Sequence, residues 1–577
     1  MLKNLTACIG EYKKPSLLAP VCVTLEVILE VIIPLLMASL IDKGITPGNM
    51  SVIVRYGIIL VIAAMASLAC GTLSGNFAAV ASAGFAKNLR KKMFYKVQDF
   101  SFTNIDRFST SSLVTRLTTD VTNVQNAYQM IIRIAVRSPI MLISAFVMAF
   151  KVSKNLALIY LAIIPILGII LFLITTHAHP IFMRVFKTYD KLNNVVQENV
   201  HGIRVVKSFV REDFEEKKFK EISGNIYNDF TKVEKLIAFN APAMQTCVYA
   251  CMILISWFGA KFIVSNSMTT GELTSMFTYT MQILMSLMML SMIFVMCIMS
   301  KASIERINEV LTEQPDITNP SDPVTKVENG SISFDHVFFS YSKDMNKLCL
   351  KDISFDIKSG ETVGIIGGTG SAKSSLVQLI PRLYDVTAGT LKVGGIDVRN
   401  YDIKVLRDAV SMVLQKNVLF SGTIKENLRW GNENAADEEM IHACRLAQAD
   451  EFIQTFPDGY DTYIEQGGSN VSGGQKQRIC IARALLKKPA ILILDDSTSA
   501  VDTKTDSLIQ QAFSQEIPDT TRLIIAQRIS SVQNADKIIV LDNGCISAVG
   551  THEELLASNH IYQEVYHSQV KGESDYE

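Results

Sequence analysis

Six apolar runs in the first ~310 residues constrain the fold more than any other feature, because each is near the roughly 20 residues that carry a helix across a bilayer. They are drawn at about 16–41, 54–83, 130–151, 156–176, 240–265 and 274–299, with helical periodicity throughout. The chain has 577 residues, 49% of them apolar and only 19% charged, which excludes disorder and fits a large membrane component. A net charge of −1 makes no case for nucleic acid as a partner. The ten cysteines show no CxxC pair and no zinc-like spacing, so Cys247 and Cys251 are expected as small packing residues on one apolar helix.

Loop charge sets the expected orientation. Lys13 and Lys14 precede the first run, and Lys87, Arg90, Lys91 and Lys92 follow the second. Arg184, Lys187, Lys191, Arg204, Lys207 and Arg211 follow the fourth run, and Lys301 and Arg306 follow the sixth. The connections after runs one, three and five carry few charges, so the positive-inside rule puts both termini in the cytosol of a multi-pass cell-membrane protein. The leading MLKNLTACIGEYKK lacks a signal-peptide pattern and is expected to lie on the membrane surface, with no protease domain ahead of the first run. Two long connections, roughly 84–129 and 177–239, stay helical in pattern without apolar length to span. Runs two to five are therefore expected to continue into the cytosol as helices, turning around Ser111–Val121 and Asn199–Arg211.

The composition changes near Glu309–Glu328, where Pro315, Asn319, Pro320, Asp322 and Pro323 break helical pattern. Beyond it, short β-rich runs alternate with helical stretches, the signature of an α/β domain, and Asp542-Asn543-Gly544 between apolar runs signals a hairpin. The expected division is a membrane α-helical domain at roughly 1–312, a linker at 313–330 and a cytosolic α/β domain at 331–577.

The second half carries the chemistry. The segment Glu361–Ile366 reads as a buried strand and runs into Gly367-Gly368-Thr369-Gly370-Ser371-Ala372-Lys373-Ser374, and a helix follows from Ser375. Glycines let backbone N–H groups wrap phosphates, Lys373 neutralises β/γ charge, Ser374 is a candidate Mg²⁺ ligand, and the helix N-terminus adds partial positive charge. Strict spacing expects Gly where Ala372 stands, so its methyl is expected to alter nucleotide binding. Tyr341 follows Phe338-Phe339 and is either an adenine-stacking ring or an exposed strand-edge tyrosine. Gln415, after the apolar run Val410–Leu414, is a candidate for Mg²⁺ or the attacking water, although a glutamine after a strand alone signals little. Ser472-Gly473-Gly474-Gln475 opens a long helix, an arrangement fit for a γ-phosphate or for an ordinary cap. The strand Ile491–Leu494 ends in Asp495, the pattern of a Mg²⁺-holding aspartate, with Asp496 next to it.

Taken together, these motifs resemble an ATP-binding-cassette (ABC) exporter half-transporter over nearly the whole chain. The resemblance rests on the six runs, Tyr341, Gly367–Ser374, Gln415, the signature Val471–Gln475, Asp495 and the stretch Ser499-Ala500-Val501-Asp502. It implies an exporter fold of six transmembrane helices fused to a P-loop domain, ATP and Mg²⁺ as cofactors, and a second half-transporter as partner. Each ATP would then lie between one half's P-loop, with Ser375 beside it, and the other half's signature and Asp502. The family usually has Glu at Asp496 and His at Gln527. In-line attack needs a base within about 2.6–3.2 Å of the water's proton, and Asp is one methylene short. A misplacement of about 1 Å costs roughly 10²-fold. With Ala372, these departures imply a site that holds ATP and rarely hydrolyses it, beside an intact Ser472–Gln475 that serves a partner's ATP. The pattern is similar to the degenerate half of a heterodimeric bacterial multidrug-type exporter. The alternatives are a slow homodimeric exporter and an ATP-gated channel or regulatory subunit on the same fold. A soluble ATPase of DNA maintenance is excluded by the spans.

The cargo is expected to be a small amphipathic molecule: drug, lipid or peptide. Charges inside spans are expensive and functional by default. Glu26 and Glu30, one turn apart in the first run, either bind a cationic cargo or pair with Arg133 or Arg137. The sixth run holds Met276, Met281, Met285, Met288, Met289, Met292, Met296 and Met299, either an adaptable cavity wall or helix-packing and lipid-facing surface.

Overall fold

The computed structural model describes residues 2–497 and 500–574. The chain forms two compact units, one of residues 1–99 and 108–313, the other of residues 100–107 and 314–577.

The helices of the first half are α1 (Leu2–Thr6), α2 (Lys13–Leu40), α3 (Met50–Gln98), α4 (Phe102–Phe108), α5 (Thr110–Thr115) and α6 (Val121–Val152), then α7 (Lys154–His201), α8 (Ile203–Ser208), α9 (Glu212–Ala238), α10 (Asn240–Val264) and α11 (Thr270–Thr312). Among the described residues they make six helical stretches long and apolar enough to cross a membrane, at 4–45, 50–98, 110–152, 154–201, 212–264 and 270–312. α3 has 49 residues and α7 has 48, far beyond a bilayer's need, so the expected helical extensions are present. Four-residue spacing builds the packed core: Val23, Val27 and Val31 of α2 meet Met141, Ala145 and Ala149 of α6, with Cys247 and Cys251 of α10 in the same cluster. Tyr160 of α7 is buried there, and its hydroxyl donates to the Met276 carbonyl at 2.9 Å. The N-terminal lead-in lies along α3: the Asn88 amide donates to the Cys8 carbonyl at 3.1 Å, and a Cβ on Gly84 would run into the Tyr12 ring.

One expected turn is displaced. Ser111–Val121 is helical, closing α5 and passing through one π-turn, Arg116–Asp120, into α6. The reversal after α3 lies instead around α4, ahead of Ser109, which caps α5. The second turn, Gly202–Arg211 around α8, falls within its expected range.

In the other unit, strands β1 (Ile332–Phe339), β2 (Leu350–Ile357), β4 (Ala388–Val393) and β5 (Ile396–Asp397) form an antiparallel sheet in the order β2-β1-β4-β5. A second sheet has the order β12-β11-β3-β10-β9-β6, from β3 (Thr362–Gly367), β6 (Val410–Val413), β9 (Ile491–Asp495), β10 (Thr521–Ile525), β11 (Lys537–Asp542) and β12 (Cys545–Gly550). Strands β7 (Gly422–Thr423) and β8 (Tyr463–Ile464) pair separately. β3, β10, β9 and β6 run parallel, and β9 and β10 are buried along their whole length, β9 as its apolar run Ile491–Leu494 requires and β10 with Thr521 and Arg522 buried beside Leu523–Ile525. Alternate residues feed the two faces: Ile365, Ile493 and Ile525 one core, Ile366, Leu494 and Ile524 the other. The hairpin expected at Asp542–Gly544 joins β11 to β12, with φ of 48° at Asn543 and 80° at Gly544.

Candidate functional site

The sheet order explains how residues far apart in sequence meet. Gly367 ends β3, Gln527 follows β10, Asp495 ends β9 and Gln415 follows β6, and these four strands are neighbours in the sheet. Their carboxyl ends form one edge, the place where open parallel α/β sheets bind ligands.

The phosphate loop leads from β3 into helix α12 (Lys373–Leu379). A Cβ on Gly367 would lie 2.1 Å from the Leu541 carbonyl, so glycine is required there by close backbone packing. Gly368 and Gly370 face open space instead, room suited to a phosphate. Ala372 has φ 71°, in the left-handed region that glycine adopts freely and L-residues avoid. The Lys373 amine donates to the Gly367 and Gly368 carbonyls at 2.9 and 2.8 Å and to Ser371 Oγ at 3.3 Å, which folds it over the loop. Burial lowers that amine's pKa, and the Asp495 and Asp496 charges oppose the shift. Ser374 Oγ donates to Asp495 Oδ1 at 3.0 Å, which brings together two oxygen ligands of the kind Mg²⁺ takes. Burial raises the Asp495 carboxyl above the usual carboxylate range; Asp496 reinforces the shift, while the Ser374 hydrogen bond and Lys373 oppose it.

Asp496 is 9% exposed and sits at φ 49°. The Gln527 side-chain amide donates to its Oδ2 at 2.8 Å, and the Gln415 amide approaches the same oxygen at 3.4 Å. One carboxylate oxygen thus takes two amides, from the ends of the two strands that flank β9. Beside the loop, Tyr341 is 46% exposed; its hydroxyl lies 2.8 Å from Ser375 Oγ. Its ring meets Phe339 and Tyr384 edge-on, with centroids 4.8 and 5.1 Å apart, so it is held in place while remaining open to stacking. No sequence motif marks Tyr384. Its hydroxyl donates to Asp106 Oδ2 at 2.8 Å, and only the fold reveals that neighbour.

The signature residues lie apart from this cluster, with no hydrogen bond or ion pair from Ser472–Gln475 to Gly367–Ser375 among the described residues. Ser472 caps the helix Gly473–Leu485 in a reciprocal box, its Oγ accepting from the Gln475 N–H at 3.3 Å and its own N–H donating to Gln475 Oε1 at 2.9 Å. A Cβ on Gly474 would lie 2.8 Å from the Ala500 carbonyl, and Gln477 Oε1 accepts from the Ala500 N–H at 3.1 Å. Asp502 caps the next helix, Thr503–Glu516, through Thr505. Ser499 lies outside the described residues.

In the membrane unit, Arg137 takes both acidic residues of α2: its guanidinium donates to Glu26 Oε1 and to both Glu30 oxygens, at 2.9 and 2.7 Å. Of the alternatives for Glu26 and Glu30, pairing is therefore realised, with Arg137 and not Arg133. A cavity of about 650 Å³ between α2, α6 and α11 is lined by Glu30, Arg133, Arg137 and Gln282 and by Met281, Met285 and Met289. Glu26 and Met292, both candidates from the sequence, do not line it, and the Met299 side chain lies outside the described residues.

Comparison with known proteins gives two family matches, "ABC transporter transmembrane region" over residues 16–305 and "ABC transporter" over residues 350–499. The chain is 38% identical to the Bacillus subtilis "Uncharacterized ABC transporter ATP-binding protein YfiB" over 562 residues, 97% of each chain. It is 33% identical to B. subtilis YheI, named "Probable multidrug resistance ABC transporter ATP-binding/permease protein", across 84% of this chain and 83% of that one. A solved bacterial Atm1-family ABC exporter with ATP bound superposes with a TM-score of 0.84 at 24% identity, covering 96% of this chain and 99% of that chain, a likeness of fold.

Proposed function

The chain belongs to the ABC transporter family as an exporter half-transporter, and from that premise we propose that it is the less hydrolytic half of a heterodimer. Its own P-loop holds ATP with little turnover, and its signature, Ser472–Gln475, completes the hydrolytic site of a different half. Loop lysines and arginines support an orientation with both ends and the nucleotide domain in the cytosol. The cargo moved outward is a small amphipathic molecule, in keeping with the multidrug description of one relative.

The observation that carries this reading is the clamp on Asp496. A general base must present a carboxylate oxygen to water at about 2.6–3.2 Å. Here the shorter side chain gives Oδ2 to the Gln527 and Gln415 amides, which turns both toward the carboxylate. Gln527 lacks the charge a protonated histidine would bring to a γ-phosphate. Ala372, at φ 71°, adds a methyl where the loop would approach phosphate. Lys373, Ser374 and Asp495 keep the residue types that bind ATP and Mg²⁺, and the bound ion would neutralise phosphate charge there. Binding is thereby retained while the step that activates water is weakened.

The test is to purify the chain alone and with its natural partner. Alone it is expected to bind ATP yet turn over roughly 10²-fold more slowly than the assembled pair. Robust hydrolysis by the chain alone would contradict the heterodimer reading and favour a homodimer.

A further inference from the structure

The cavity between α2, α6 and α11 carries a charge pattern opposite to the one its glutamates suggest. Arg137 already binds both carboxylates. Glu26 is 7% exposed and off the cavity wall, so a cation entering the cavity meets Glu30 alone, and meets it engaged. Arg133, one turn before Arg137 on α6, lines the same cavity and is half-buried. Among the described residues its guanidinium has no hydrogen bond or ion pair. Its Nη1 lies 3.6 Å from where a Cβ on Gly75 would be, and Glu26 Oε1 lies 3.0 Å from the same position on Gly71. Those glycines are one turn apart on α3, which sets Arg133 beside the acidic cluster while its donors stay unused. A guanidinium cannot shed its charge, and an unpaired one within a membrane span is costly. Opposite it, Met281, Met285 and Met289 recur every four residues along one side of α11, an adaptable apolar wall.

We propose that this cavity binds amphiphiles with one anionic head, a carboxylate or phosphate, placed on Arg133 with the tail along Met281, Met285 and Met289. The planar fork of Arg133 suits either head as a two-point partner. Arg137 is the positioning residue: by holding Glu26 and Glu30 it keeps their charge away from the head. Calling the occupant cargo rests on the exporter reading above; its binding does not.

The test uses the full-length chain in nanodiscs of neutral lipid, without nucleotide or partner. A fluorescent fatty acid, dansyl-undecanoate, is displaced by laurate, dodecyl phosphate, lauramide, dodecyltrimethylammonium or inorganic phosphate. Laurate and dodecyl phosphate are expected to compete at least about tenfold better than lauramide or the ammonium compound, the scale of one charge-assisted contact. Arg133→Gln should remove that advantage and leave lauramide unchanged, Arg133→Lys should keep part of it, and Met285→Ala should weaken acid and amide alike. The ranking on the unaltered chain decides the matter even if a variant misfolds. Preference for the ammonium compound, equal laurate affinity in Arg133→Gln, or displacement by inorganic phosphate as effective as by laurate would each overturn the proposal. Failure of partner-stimulated ATP turnover would remove the division of labour at the nucleotide sites and leave this ranking untouched.

Discussion

At the residue scale, Ala372 and Asp496 both occupy the left-handed region, at φ 71° and 49°, but the cost differs. Asp tolerates that conformation better than most residues, whereas Ala gains nothing from it. Ala372→Gly should therefore stabilise the loop by about 0.5–1 kcal/mol and tighten ATP binding, read by the thermal shift of the chain with and without ATP. An unchanged transition and affinity would mean that the methyl is accommodated. Restoring the longer base and the cation together, Asp496→Glu with Gln527→His, should raise turnover at this chain's own site by roughly 10²-fold, and either alone by much less. Equal rates for the single and double variants would contradict a shared clamp. The substitutions themselves are legible in the sequence, since they fall at fixed offsets from apolar strands. The backbone strain at 372 is not, because φ belongs to the loop. Nor is the choice of Arg137 over Arg133: the two lie one turn apart on the same face of α6, and the fold separates them by setting Arg133 beside Gly75 and Glu26 beside Gly71.

At the element scale, the six long helices, the P-loop strand and the Asn543-Gly544 hairpin follow directly from periodicity and turn chemistry. The misplaced first turn has a physical cause. Residues 109–119 are rich in Ser and Thr, weak helix formers that read as a loop. Tertiary contacts override that preference: Leu113 is buried, Arg116 pairs with Glu309 at 2.8 Å, and buried Asp120 accepts from Arg306 Nε at 2.7 Å and from Ser303 Oγ at 2.8 Å. Asp120→Ala should loosen the π-turn and the facing part of α11 by about 1–3 kcal/mol, discounted because the Arg306 side chain is 47% exposed. Faster amide exchange confined to residues 113–124 and 300–310 is the expected signature in hydrogen-exchange mass spectrometry. Unaltered exchange there would show that apolar packing alone holds the turn.

At the scale of the whole molecule, the proposed heterodimer gives the two groups of nucleotide residues separate tasks. Gly367–Ser375, Gln415, Asp495, Asp496 and Gln527 gather at one sheet edge, while Ser472–Gln475 and Ala500 gather around the start of the helix Gly473–Leu485 and Asp502 caps the next one. A homodimer would use both groups in the same two sites, so damage to either would cut turnover alike. A heterodimer separates them: the first group belongs to the site that retains ATP, the second to the partner's site that spends it. The most direct test is ATP turnover by the reconstituted pair carrying Ser472→Ala or Asp496→Asn in this chain. Ser472→Ala should lower turnover by roughly 10²-fold, on the scale of losing one preorganised donor, while Asp496→Asn changes it little. A larger loss from Asp496→Asn than from Ser472→Ala would contradict the assignment of this chain as the less hydrolytic half.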